Sequence, residues 1–162
     1  MGELYINIIS AKDLKLKESS DETHCVAFLT SDPLKIIKTN TSSDPNNPQW
    51  DHQDKLVLHN LSENDFFETN LIFQVFTNDN GALMVGEASV DIDFALRNPG
   101  EWELKLTNGE GVESGFLNLQ VNFLKETEAN EIEDGEGEIG EGENNNNSQE
   151  AYDNTSENDV EN

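Results

Sequence analysis

"GFLNLQVNF", residues 115–123, alternates without a break: Leu117, Leu119, Val121 and Phe123 fall on one side of an extended chain, and Asn118, Gln120 and Asn122 on the other. Successive side chains of a strand point to opposite faces, whereas apolar positions on a helix recur every three to four residues. The stretch is therefore a strand with one dry side and one wet side. Working outward, "ELYINIIS" puts Leu4, Ile6 and Ile8 on one face, and "NLIFQVF" does the same with Leu71, Phe73 and Val75. The segments "HCVAFLT", "LKIIKTN", "DKLVLHN", "MVGEASVDI" and "EWELKLT" complete a set of eight strand candidates. Turn-rich "SSDPNNP", "TNDNG" and "TNGEG" lie between apolar runs, and the one helical turn expected is "DFALRN" after Asp91. Eight short strands, polar turns and no long helix predict an all-β fold, an eight-stranded antiparallel β-sandwich.

The composition changes after Lys125. The chain has 162 residues and a formal charge of −25, and residues 126–162 contribute −14 of that charge because they hold 14 acidic residues and no Lys or Arg. Their apolar content is limited to Ala129, Ile132, Ile139, Ala151, Tyr152 and Val160. That is too little to offset an ordering cost of roughly 1–2 kcal/mol per residue. The expected organisation is one sandwich domain over residues 1–125 and a disordered acidic low-complexity tail over 126–162.

The start "MGELYINIISAKDL" lacks the features of a signal peptide, and no apolar run is long enough to span a bilayer. A single cysteine makes no internal disulfide. These features predict a cytoplasmic chain, at most peripheral to membranes. A charge of −25 disfavours nucleic acid as a partner.

Several motifs together resemble the C2 domain, an eight-stranded sandwich that often docks on phospholipids. "LYINIISAKDLKLKESSDETHCVAFL" resembles the family's first strand, first loop and second strand, including an Ala-x-x-Leu element at Ala11 to Leu14. "KTNTSSDPNNPQWDHQDKLVL" carries a Lys-Thr and Asn-Pro-x-Trp pattern at Lys38, Thr39, Asn47, Pro48 and Trp50. "LIFQVFTNDNGALMVGEASVDI" is similar to the strand, third loop and strand that reaches Gly86. With the Ala-x-x-Leu strand at the N-terminus, the resemblance implies the circularly shifted order called type II.

Many C2 domains hold calcium with carboxylates of the first and third loops. A gapless match from Ala11 places Glu18 and His24 at the two first-loop positions; Thr77, Asp79 and Leu83 fall at the third-loop positions. Of these only Glu18 and Asp79 keep an anionic oxygen, so they read as vestigial positions. Asp13, Asp21 and Glu22 lie nearby as substitutes, with Thr77 or Asn80 as neutral oxygen donors. Calcium takes six to eight oxygen ligands, and its affinity follows the number of carboxylates. No metal cofactor is expected, or calcium only weakly. The other reading of Asp79-Asn80-Gly81 is a turn chosen for its backbone.

No catalytic constellation stands out, and no enzyme is expected. His24 and Cys25 are adjacent, so in a strand they point to opposite faces and cannot act as a base and nucleophile pair. His52 and His59 flank a predicted strand. The remaining candidates are surfaces: the apolar Leu83 and Met84 at the third loop, and Lys35 and Lys38 among the available cations Lys12, Lys15, Lys17 and Lys55. The function expected is calcium-independent recruitment of a protein partner, a basic one suiting the acidic chain. The alternative is a peripheral module that binds an anionic phospholipid membrane with residual calcium dependence.

Overall fold

The computed structural model describes residues 2–16, 22–42, 44–58, 68–77 and 83–125. The tail expected over 126–162 lies outside them. Eight strands form: β1 (Gly2–Lys12), β2 (Thr23–Leu29), β3 (Asp32–Lys38), β4 (Gln49–Leu58), β5 (Asn70–Thr77), β6 (Met84–Asp91), β7 (Gly100–Thr107) and β8 (Glu113–Lys125). One short helix, α1 (Ile92–Arg97), follows β6. The strand order is β3-β2-β5-β6-β7-β8-β1-β4, all antiparallel.

Between β6 and β7 the ladder narrows to one pair, Glu87 opposite Thr107. The order therefore divides there into two four-stranded halves, β3-β2-β5-β6 and β7-β8-β1-β4, which form the two layers of the sandwich. The alternation in the sequence decides what faces inward. Leu4, Ile6 and Ile8 of β1, Leu117, Leu119 and Val121 of β8, and Leu71, Phe73 and Val75 of β5 are buried in one core. Each fully buried side chain of this kind stabilises by about 1.5–3 kcal/mol.

All eight expected strands are present, as is the helical turn. Asp91 caps α1 by accepting from the N–H groups of Asp93 and Phe94 at 2.8 and 3.3 Å, which satisfies two donors the first turn leaves unpaired. Most boundaries differ from the sequence reading by one or two residues, and one start differs by more. β4 begins at Gln49, five residues before "DKLVLHN": it stays paired with β1 as far as Ser10 opposite Gln49, across an irregularity where the three steps from His52 to Gln49 oppose the two from Ile8 to Ser10. The stretch "QWDHQ" lacks regular alternation, and Asp51 has a positive φ of 48°, so its strand character comes from β1.

Candidate functional site

β1, β3, β5 and β7 end, and β2, β4, β6 and β8 begin, at the same end of the sandwich, which places the β1–β2, β3–β4, β5–β6 and β7–β8 connections together there. The first of these is held from the side by "DPNNP". The Ala11 N–H donates to the Pro48 carbonyl at 3.0 Å and the Leu14 N–H to the Asn46 carbonyl at 3.1 Å. The side chain of Asn46 returns a bond to the Leu14 carbonyl at 2.9 Å, and Asn47 Oδ1 accepts from the Asp13 N–H at 3.2 Å. Asp44 Oδ1 in turn accepts from the Asn47 N–H at 3.2 Å. Asp13 takes a left-handed φ of 55°, which a short Asp side chain tolerates better than a bulky one does. The residue is thereby a corner held by its backbone, with an exposed carboxylate.

The Lys-Thr and Trp elements fasten β2 to the same connection. Thr39 Oγ1 accepts from the Cys25 N–H and the Thr39 N–H donates to the Cys25 carbonyl, both at 2.9 Å. Trp50 is buried, and its Nε1–H donates to the Thr23 carbonyl at 3.1 Å. That carbonyl also accepts from the Ser42 N–H at 2.9 Å. The Asn clamp was not singled out from the sequence; its signal was Asn46 and Asn47 between two prolines, with Asp44 before them, a composition that favours side-chain bonds to backbone.

The β5–β6 connection closes where the Thr77 N–H donates to the Leu83 carbonyl at 2.9 Å. Thr77 is buried and faces Thr23 across the β5–β2 ladder. His24 is 6% exposed; its ring stacks on Phe76 at 5.7 Å with 20° between planes, and Phe76 pairs onward with Met84. Leu83 and Met84 are exposed at 54% and 37%. Of the positions matched to carboxylates, His24, Thr77 and Leu83 thus supply a stacked ring, a buried hydroxyl and an open isobutyl group. Glu18 and Asp79 lie outside the described residues, as do Asp21, Lys17 and Asn80. Among the described residues no group of three or more His, Cys, Asp or Glu is arranged to hold a metal ion.

Two glycines set how closely the strands approach beneath this end. A Cβ on Gly86 would meet Ser114 Oγ at 2.2 Å and Leu106 Cβ at 3.0 Å. Gly115, at φ 133°, lies where a Cβ would meet Leu14 Cδ2 and the Lys12 carbonyl, both at 2.9 Å. The Lys15 N–H donates to the Ser114 carbonyl at 3.0 Å, which ties the first connection to β8.

Among the described residues the lysines are in different settings. Lys12 pairs with Glu103 at 2.6 Å and Lys55 with Glu3, and these bonds raise the affinity of both lysines for their protons. Lys35 and Lys38 are exposed on the edge strand β3. Lys35 and Lys55 meet at a groove of about 380 Å³ between β3 and β4, lined also by Leu34, Ile36, Leu56 and Val57. Cys25 faces the core, where burial pushes its thiol well above the ordinary range, while His24 faces outward. His59 lies outside the described residues.

The sequence profile of the C2 domain matches residues 2–105. This chain belongs to the C2 domain family. The Ala-x-x-Leu strand of this C2 domain is β1, which lies between β8 and β4 in the type II order. A C2 domain of plant Extended Synaptotagmin 1 is similar with a TM-score of 0.65 at 17% identity, over 78% of this chain and 97% of that one. The calcium-bound pair of C2 domains of Extended-Synaptotagmin 2 superposes with a TM-score of 0.61 at 14% identity, over 76% of this chain and 42% of that one. Human GIVD cytosolic phospholipase A2 has a TM-score of 0.58 at 18% identity, over 78% of this chain but 17% of its own. Likeness at these identities establishes the shared fold. No curated protein matches this sequence. Among the described residues no helix is long and apolar enough to cross a membrane.

Proposed function

We propose that this C2 domain is a non-catalytic, calcium-independent module of the cytoplasm that recruits a protein partner. The observation that carries this reading is the loop end itself. His24 is packed against Phe76, Thr77 is bonded to the Leu83 backbone, and Leu83 is open to solvent at a position matched to a carboxylate. Imidazole suits zinc or copper better than calcium, and an isobutyl group supplies no ligand. A formal charge of −25 favours a basic protein partner over an anionic surface.

One observation supports a second reading, a peripheral phospholipid-binding module: Leu83 and Met84 expose apolar side chains beside each other at the third loop. Sedimentation of the full chain with phosphatidylserine-containing and with neutral vesicles, with and without calcium, separates the readings. The recruitment reading expects the chain to stay in the supernatant in all four conditions. Calcium-dependent pelleting overturns it. Calcium-independent pelleting that Leu83→Asp abolishes establishes the second reading instead.

A further inference from the structure

An antiparallel sheet with one wet face shows polar residues on that face, yet β2 reads Thr-His-Cys-Val-Ala-Phe-Leu with apolar residues on both. Cys25, Ala27 and Leu29 point into the core, which leaves Val26 and Phe28 on the outer face of the β3-β2-β5-β6 half. The registers give the neighbours. One cross-strand row on this outer face runs Ile36, Phe28, Ile72, Ser89, and the next runs Lys38, Val26, Gln74, Glu87. Ile36 is 53% exposed, and Phe28 and Ile72 are half-buried. The Ile36–Phe28–Ile72 stretch is therefore the apolar part of this face, while in the next row Val26, 9% exposed, is nearly covered and Gln74 is polar, with a lysine at one end and a glutamate at the other.

That arrangement is self-complementary. A twofold axis parallel to the strands, midway between β2 and β5, sets β3 of one copy over β6 of the other and β2 over β5, with every row at its own level. Phe28 then meets Ile72 of the second copy, and Lys38 meets Glu87 of the second copy, each contact occurring twice. Glu87 is already oriented by the Gln74 side chain, whose Nε2 donates to it at 2.6 Å. We propose that this outer face is the interface of a weak symmetric dimer of the chain. Four strands at about 4.8 Å spacing make a face only roughly 15–20 Å across, which places the contact at the small, transient end of protein interfaces. The negative charge of the chain opposes association at low salt, and screening over about 8 Å at physiological salt reduces that repulsion. A lipid surface is a poorer occupant, because it would leave Glu87 facing anionic headgroups. The two rows lie farther from the loop end than the His24–Phe76–Met84 row of the same face, so Ile36→Glu tests the dimer while leaving Leu83 and Met84 in place.

The experiment is sedimentation equilibrium of the full chain at about 0.15 M salt over a wide concentration range, with circular dichroism to verify folding of each variant. A monomer–dimer equilibrium is expected. Ile36→Glu, at an exposed edge position, should raise the dissociation constant by about tenfold or more, since the axis sets it over Ser89 of the second copy, where the new carboxylate would lose water without gaining a cationic partner. Lys38→Glu and Glu87→Lys should each weaken the dimer, and the double variant should recover it because the pair is only reversed. A monomer at every concentration overturns the proposal. So does a dimer indifferent to Ile36→Glu, a double variant weaker than both single ones, or monomer binding to vesicles that Ile36→Glu abolishes.

Discussion

Replacing Gly86 by Ala tests how closely the two halves of the sandwich approach below the third loop. The new Cβ would lie 2.2 Å from Ser114 Oγ and 3.0 Å from Leu106 Cβ. The first distance is far inside van der Waals contact, and the second involves an atom fixed to the backbone. Ser114 is 1% exposed, so a displaced hydroxyl reaches no water, and among the described residues its oxygen has no hydrogen-bond partner. Overpacking of this kind costs about 1–3 kcal/mol. Against it stands the smaller entropy of an unfolded chain with Ala in place of Gly, a stabilisation of about 0.4–1 kcal/mol. The net expectation is a loss of about 1–2 kcal/mol, read as a lower urea midpoint at unchanged slope. The companion variant Ser114→Ala removes an unpaired buried hydroxyl and should be neutral or stabilising. Combined with Gly86→Ala it should recover at least half of the loss, leaving only the Leu106 contact. If Gly86→Ala is as stable as the parent, or Ser114→Ala recovers nothing, the packing reasoning fails.

Trp50→Phe removes the bond from Nε1 to the Thr23 carbonyl and part of a buried ring, for a loss of about 1–3 kcal/mol in urea unfolding. The Ser42 bond to the same carbonyl keeps the loss below that of a fully orphaned group. Asn46→Ala should cost about 0.5–1.5 kcal/mol and, more tellingly, speed amide exchange at Asp13 to Lys15 while leaving β8 protected. Glu3 is held below the usual carboxylate range first by its bond from Lys55 and then by that from the Tyr5 hydroxyl. A lowered folded value means that its stabilisation is present above the unfolded value of about 4.3 and disappears as pH falls through the folded one. Thermal melts should therefore show a parent advantage over Glu3→Gln at neutral pH that vanishes in acid; an advantage that grows in acid would contradict the assignment.

Much of the fold was legible in residues read singly. The alternation in "GFLNLQVNF" and "ELYINIIS" specified which face of β8 and β1 enters the core, because strand geometry fixes that from spacing alone. The helical turn after Asp91 was equally local, and the structure adds that Asp91 caps it through bonds to residues two and three positions on. The start of β4 was not, because Gln49 to Gln53 are strand only through pairing with β1, across a bulge that no pattern in "QWDHQ" announces. The candidate site divides in the same way. That His24, Thr77 and Leu83 replace carboxylates follows from the sequence once it is matched to the C2 pattern. That His24 is stacked on Phe76, and that Thr77 closes onto Leu83, depends on the β2–β5–β6 register. The lysines show the limit most clearly: among the described residues Lys12 and Lys55 are paired to Glu103 and Glu3 while Lys35 and Lys38 stand on the edge strand, an arrangement that their spacing in the chain does not announce. The strands and most of their dry faces could be read from chemistry within a few residues, whereas the replaced carboxylates are what the resemblance to the C2 pattern implies. Only the tertiary structure decided which groups share a surface, because the clamp of Asn46 on Leu14 and the row from Lys38 to Glu87 join residues dozens of positions apart.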